Sequence, residues 1–151
     1  MSTIPSSCVV DASVGIKLFV DEPLSEKAHW LFENLSNDPP AELHVPDLFF
    51  IECTNILWKY THRFNRPVQD SLADLADLGT LALRVTSTAD LMEDALSLAV
   101  QTGLTAYDAC YAALARRLDL PLVTADEPLC QAVAWAVWLG NFSKSQIRVI
   151  G

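Results

Sequence analysis

Apolar residues in this chain fall into two patterns. Cys8-Val9-Val10, Leu43-His-Val45, Leu81 to Val85 and Leu122-Val123 are short apolar runs of strand length, and Ile147-Arg-Val149 reads as a final one. Between them, apolar positions recur every three or four residues, the spacing of one helix face. Val14 to Val20 predicts a short helix, stopped by Asp21-Glu-Pro23. Ser25 can cap the next, which carries Ala28, Leu31, Phe32 and Leu35 as its stripe and runs to about Asn37. Further helices are expected over Leu48–Arg63, Val68–Leu78, Ala89–Gln101 (capped by Thr88) and Pro128–Trp138. Short strands alternating with helices favour an α/β fold, a parallel sheet with helices on both faces. No linker is long enough to divide residues 1–151, so one domain is expected.

The stretch Leu104 to Glu127 gathers the most signals. Thr105 can cap a helix starting at Ala106, in which Tyr107, Tyr111, Leu114 and Leu118 are spaced to face a core. Pro121 ends that element, and Leu122-Val123 leads into Thr124-Ala125-Asp126. Asp126 lies just past the carboxyl end of a strand, where open α/β sheets place their ligands. Asp108 precedes Ala112 and Ala115, so the helix surface beside it is left open by small side chains.

Composition narrows the function classes. A net charge of −9 argues against a non-specific nucleic-acid binder, unless several of the acids are gathered around divalent cations. The same charge suits a basic protein partner. Cys8, Cys53, Cys110 and Cys130 show no paired spacing and read as buried free thiols, and His29, His44 and His62 share no ligand spacing. The longest apolar run, Ala132 to Leu139, is too short to span a bilayer. The N-terminus lacks the basic and apolar regions of a signal peptide, so a cytoplasmic location is expected.

Four acids carry the chemistry. Asp11 follows the first strand and Asp126 the fourth, while Glu52 and Asp108 sit early in helices. Strand ends and the starts of following helices share one edge of a doubly wound sheet, so all four can converge. Each also has a structural role open to it. Asp11 and Asp126 can cap the helices that follow them, Asp108 can be an ordinary exposed position, and Glu52 can pair with Lys59 or Arg63. Glu52 shares a face with Leu48 and Ile56, where an unpaired carboxylate is costly. Oxygen donors without a His or Cys cluster suit magnesium or manganese. Ser13 and Thr124 have hydroxyls placed to support the acids or a phosphate, and Asn55 could orient Glu52 or a water; each is equally suited to capping or to buried polar pairing.

Val10-Asp11-Ala-Ser13, Glu52-Cys-Thr-Asn55, Thr105-Ala-Tyr-Asp108-Ala-Cys-Tyr-Ala-Ala-Leu-Ala and Leu122-Val-Thr-Ala-Asp126-Glu together resemble the PIN-domain nucleases, most of all the small VapC-type toxins. The resemblance covers nearly the whole chain. It implies a three-layer sandwich around a five-stranded parallel sheet of order 3-2-1-4-5. It also implies a magnesium-dependent ribonuclease acting on RNA, a homodimer and a cognate antitoxin. The family's four acids have counterparts in Asp11, Glu52, Asp108 and Asp126, with Asp11 and Asp108 as principal metal ligands. The Trp-rich segment Ala132–Ser145 is longer than the family pattern before its last strand.

Two other classes fit the sequence less well. A non-catalytic interaction module of the same fold would use Trp30, Trp58, Trp135 and Trp138 as contact surfaces, but has no need of four mutually repelling acids. A phosphoryl-transfer protein is disfavoured. A receiver domain needs paired acids after the first strand and a lysine at the last, where this chain has a single Asp11 and Arg148. A haloacid-dehalogenase-like phosphatase needs a second aspartate at position 13, which is serine.

Overall fold

The computed structural model describes residues 7–143. Five strands form one parallel sheet: β1 (Ser7–Val10), β2 (Glu42–Pro46), β3 (Arg84–Thr86), β4 (Leu122–Thr124) and β5 (Ala136–Trp138), ordered β3-β2-β1-β4-β5. This is the expected α/β sheet and strand order. Val9, Val10, Leu122 and Val123 are fully buried, as central strands covered on both faces must be. Strand order reverses beside β1, which has β2 on one side and β4 on the other.

Seven α-helices connect the strands among the described residues: α1 (Ala12–Gly15), α2 (Ser25–Glu33), α3 (Leu48–Phe64), α4 (Val68–Leu78), α5 (Met92–Thr102), α6 (Ala106–Leu118) and α7 (Glu127–Ala132). Helix α6 is buried continuously from Ala109 to Ala115. Four of those seven residues are alanine, which lets the helix lie close to its neighbours. Helix ends follow local chemistry. Thr105 caps α6 as expected, its hydroxyl accepting from the Asp108 amide at 3.2 Å. Asn65, Gly103 and Asp119 close α3, α5 and α6 in the left-handed conformation.

Several expected boundaries move. The Val14–Val20 helix is instead α1 followed by a 3-10 turn over Ile16–Leu18. Ser25 does not cap α2: its hydroxyl accepts from the Glu22 amide and donates to the Val20 carbonyl, tying down the preceding loop. Helix α2 ends at Glu33 and continues as a 3-10 turn to Ser36. Strand β3 starts at Arg84, because Leu81 and Leu83 pack against the core from a loop. Ser87, not Thr88, caps the turn before α5, since the Thr88 hydroxyl is bonded to the Asp47 carboxylate. Tyr107 is 63% exposed, against the expectation that it faces the core, and Leu118 is exposed too; Tyr111 and Leu114 are buried as expected.

The largest correction lies near the C-terminal end. The expected helix Pro128–Trp138 stops at Ala132, and Ala136–Trp138 forms β5, paired with Leu122–Thr124. The unpaired edge of β4 takes up these residues. The last strand among the described residues thus lies inside the Trp-rich segment that departs from the family pattern. Ile147–Val149, expected as the final strand, lies outside the described residues, as does Arg148.

Candidate active site

Asp11 directly follows β1 and Asp126 stands two residues beyond β4, at the carboxyl edge where the strand order reverses. Asp11 is 4% exposed and accepts three hydrogen bonds. Oδ1 takes the Ser13 hydroxyl at 2.6 Å and the Val14 amide at 3.3 Å, and Oδ2 takes the Thr124 hydroxyl at 2.6 Å. The capping role open to it from sequence is therefore present, alongside a link from β1 to β4. Asp126 caps α7 through Oδ1, which accepts the Leu129 amide at 3.0 Å. Ser13 and Thr124 hold this edge further: Ser13 Oγ accepts the Ala125 amide and Thr124 Oγ1 the Asp126 amide, each at 3.0 Å.

The two helical acids reach the same place. Asp108 sits in the first turn of α6 and Glu52 in the second turn of α3. Glu52 pairs with neither Lys59 nor Arg63 among the described residues; instead Oε1 accepts the Tyr111 hydroxyl at 2.6 Å. Sequence reasoning assigned Tyr111 only to the core. It is 1% exposed, yet its hydroxyl reaches out of the core to hold Glu52. Its position three residues after Asp108 on one helix face was the available signal.

One open cavity of about 760 Å³ is lined by all four acids, together with Ser13, Asn55, Tyr111, Ile51, Trp58, Lys59 and Tyr107 among others. Thr124 lies behind it, fully buried against Asp11. Every acid keeps free acceptor capacity. Asp108 has no hydrogen-bond or ion-pair partner for either carboxylate oxygen among the described residues, and Asp126 Oδ2 and Glu52 Oε2 are likewise unengaged. Lys59 is the one cation among the described lining residues.

The electrostatics report uncompensated negative charge. Burial pushes the Asp11 carboxyl up to about 6, against the lowering effect of its hydrogen bonds, and Asp126 adds repulsion. Asp108 is also raised, first by burial, then by Asp126 and Glu52. Burial and the Glu52 charge raise the Tyr111 phenol, so it stays a donor. Cys53 is pushed up to about 12 by burial, with Glu52 and Asp11 contributing, and has no thiolate character. Among the described residues the four thiols are free; Cys130 is only partly buried, the other three fully.

Oxygen-only donors under mutual repulsion fit a hard divalent cation. Among the described residues no group of three or more Asp, Glu, His or Cys side chains is arranged to hold a metal ion. The four carboxylates line the cavity without forming a closed cage; an ion that keeps several waters and takes one or two carboxylates plus substrate phosphate, as magnesium does, is the kind such oxygen donors suit.

Sheet order and the acids at the reversal point define a class of α/β fold with an acidic cavity at its switch point, and comparison with known proteins gives the family. The PIN domain family matches residues 8–134, and the chain belongs to that family. Ribonuclease VapC3 of Pyrobaculum aerophilum is 37% identical over 125 residues, covering 82% of this chain and 92% of that relative. Among solved structures, the crystal structure of a protein from Pyrobaculum aerophilum is similar with a TM-score of 0.71 at 26% identity, over 95% of this chain and 96% of that one. The VapC20 toxin of Mycobacterium tuberculosis, which cleaves the sarcin–ricin loop, shares the fold with a TM-score of 0.60 at 18% identity, over 83% and 94% of the two chains.

Proposed function

We propose that this protein is a magnesium-dependent endoribonuclease and the toxin of a toxin–antitoxin pair. The observation that carries this reading is the convergence of Asp11, Glu52, Asp108 and Asp126, from four separate elements, on one open cavity. Identity of 37% to a ribonuclease over most of the chain supports it. Asp11 and Asp108 would hold magnesium, or manganese in its place, with Glu52 and Asp126 completing the acidic cluster. The bound ion supplies positive charge that activates water and stabilises the oxygens of an in-line phosphoryl displacement.

The chain's own residues do the rest. Ser13, Thr124 and the Val14 amide fix the Asp11 carboxylate in one orientation. The Tyr111 hydroxyl holds Glu52 by one oxygen and leaves the other to orient or deprotonate a water. The start of α7 fixes Asp126 in the same way. Asn55 is exposed on the cavity wall, placed to orient a water or a phosphate oxygen. A homodimer and a basic antitoxin complete the proposal; the net charge of −9 suits such a partner.

The test is cleavage of a labelled RNA by wild type, Asp11→Asn and Asp108→Asn, with magnesium and with chelator. Both variants are expected to lose magnesium-dependent cleavage while keeping the native circular dichroism spectrum. Cleavage at the wild-type rate by either one removes that residue from the site. The competing reading, a non-catalytic module of this fold, predicts no cleavage by the wild type and no thermal shift with magnesium or manganese.

A further inference from the structure

Helix α3 presents one face to the acidic cavity and another to a group of buried charges. Glu52, Asn55 and Lys59 line the cavity, whereas Leu57 and Tyr60 pack with Ile16 and Val20 in a small apolar cluster apart from the main core. Beside that cluster the Glu22 carboxylate takes two donors. Lys17 Nζ reaches Oε1 at 3.1 Å, and the Tyr60 hydroxyl donates to Oε2. Lys17 is only 8% exposed, and none of the three side chains lines the acidic cavity. Burial and the Glu22 carboxylate push the Tyr60 phenol up to about 12, so it stays a donor. The loop that carries Glu22 is fixed in its own right. Leu24 adopts a φ of 72°, a left-handed conformation that leucine avoids and that persists only where the surroundings over-determine it. The Glu22 amide is bonded to the Ser25 hydroxyl, which is bonded in turn to the Val20 carbonyl. Arg66, just past α3, donates to the Phe19 carbonyl at 3.3 Å and pairs with Asp74 of α4. The segment from Lys17 to Ser25 is thus an anchor to which the far end of α3 is tied twice.

We propose that Lys17, Glu22 and Tyr60 are positioning residues for the cleavage reaction: they clamp the far half of α3 to the segment that follows Asp11, and so set where Glu52 stands against Asp11. The part that concerns cleavage rests on the ribonuclease reading of the acidic site. The near half of α3 is seated by close packing of Phe49 against Gly15 of α1, the helix that Asp11 caps. The clamp is the second fixed point, about two turns beyond Glu52. Glu52 lies between the two points, and both of them belong to the stretch of chain that begins at Asp11. A helix held at one end can swing, and a swing of α3 moves Glu52 while Asp11 stays with β1. Stability alone does not account for the clamp, because a buried ion pair is commonly no better than apolar residues of the same size. What the charges add is direction. Lys17 and Tyr60 approach different oxygens of one carboxylate, from two elements, and only one placement of α3 satisfies both.

The experiment uses the full chain and compares wild type with Glu22→Gln, Tyr60→Phe and the double variant Lys17→Met with Glu22→Met. Three quantities are read: kcat and KM for a labelled RNA in magnesium, the urea midpoint, and amide hydrogen exchange across residues 56–64 of α3. The double variant replaces the ion pair by apolar chains of similar size, so its midpoint is expected to stay close to that of wild type. Its kcat is expected to fall at least about tenfold, because small displacements of a catalytic group are costly, with KM changed less than about twofold. Exchange across residues 56–64 is expected to quicken. Tyr60→Phe should show the same effects more weakly. Glu22→Gln should lose least, since a carboxamide still accepts from Lys17 and can donate to the Tyr60 hydroxyl oxygen. A purely structural role predicts the reverse pattern: a lower midpoint, with wild-type kcat wherever the variant is folded. That outcome overturns the clamp and leaves the ribonuclease standing. If the double variant does not fold, Tyr60→Phe decides, and wild-type kcat and exchange in it overturn the clamp. A wild type that cleaves no RNA overturns the ribonuclease reading instead. Exchange then judges the clamp alone: faster exchange in the variants upholds its grip on α3, and unchanged exchange overturns it.

Discussion

Asp11 is the residue on which structure and chemistry pull hardest against each other. It is buried, charged at neutral pH and held by three donors, yet burial still drives its carboxyl up from 3.8 to about 6. A raised carboxyl means that the folded chain holds its proton more tightly than the unfolded chain. Stability from this group is fully present below about pH 4 and is lost as pH rises through about 6, a difference of roughly 3 kcal/mol. Other groups also titrate in that range, so the informative quantity is a difference. In chelator, the stability of wild type minus that of Asp11→Asn should fall between pH 4 and 6.5 in urea melts. A difference that stays flat across that window shows that the folded-state carboxyl is not raised. Tyr111 makes the complementary case. Tyr111→Phe keeps the ring in the core and removes only the hydroxyl that holds Glu52. The expected cost is about 1 kcal/mol of stability, with a larger loss in cleavage rate as Glu52 loses its orientation. Full cleavage by Tyr111→Phe would separate Glu52 orientation from function.

At the scale of elements, the site depends on how closely α1 approaches α3. A side-chain carbon at Gly15 would lie 2.5 Å from the Phe49 ring, in a helix only four residues long that begins beside Asp11. Phe49 is fully buried and cannot swing away into solvent. Gly15→Ala is therefore expected to cost about 1–3 kcal/mol and to displace Ser13 from the Asp11 carboxylate. A midpoint in denaturant equal to that of wild type would mean that the helix shifts freely. The same elements show what a linear sequence can and cannot disclose. The convergence of Asp11 and Asp126 was legible because both follow short apolar strands, and parallel order puts such ends on one edge. Strand β5 was not legible, because Ala132 to Leu139 is apolar at every position and carries neither a two-residue nor a 3.6-residue period. What decides it is the edge of β4, a partner distant in space and invisible in local pattern. Tyr107 and Tyr111 were both read as core from spacing alone. Only the position of α6 against the sheet separates the exposed ring at the cavity mouth from the buried one beneath Glu52.

For the molecule as a whole, the acidic cavity is a local cost of folding that the proposed cation would relieve. Asp108 is raised by burial and by the charges of Asp126 and Glu52, and both of its carboxylate oxygens lack a partner among the described residues. Removing that charge in Asp108→Asn takes away repulsion without emptying the site of volume. The metal-free variant should then melt above metal-free wild type. Magnesium should act unequally on the two proteins, because a ligand stabilises the folded state more the more tightly it binds it. Wild type, with all four acids, should gain more than the variant at millimolar magnesium, so that the order of the two melting temperatures narrows or reverses. Four thermal scans at neutral pH, each protein with chelator and with magnesium, make the measurement. A variant that melts below wild type in chelator, together with equal magnesium shifts in both, would show that the acids do not share a cation and that Asp108 serves the helix rather than the cavity.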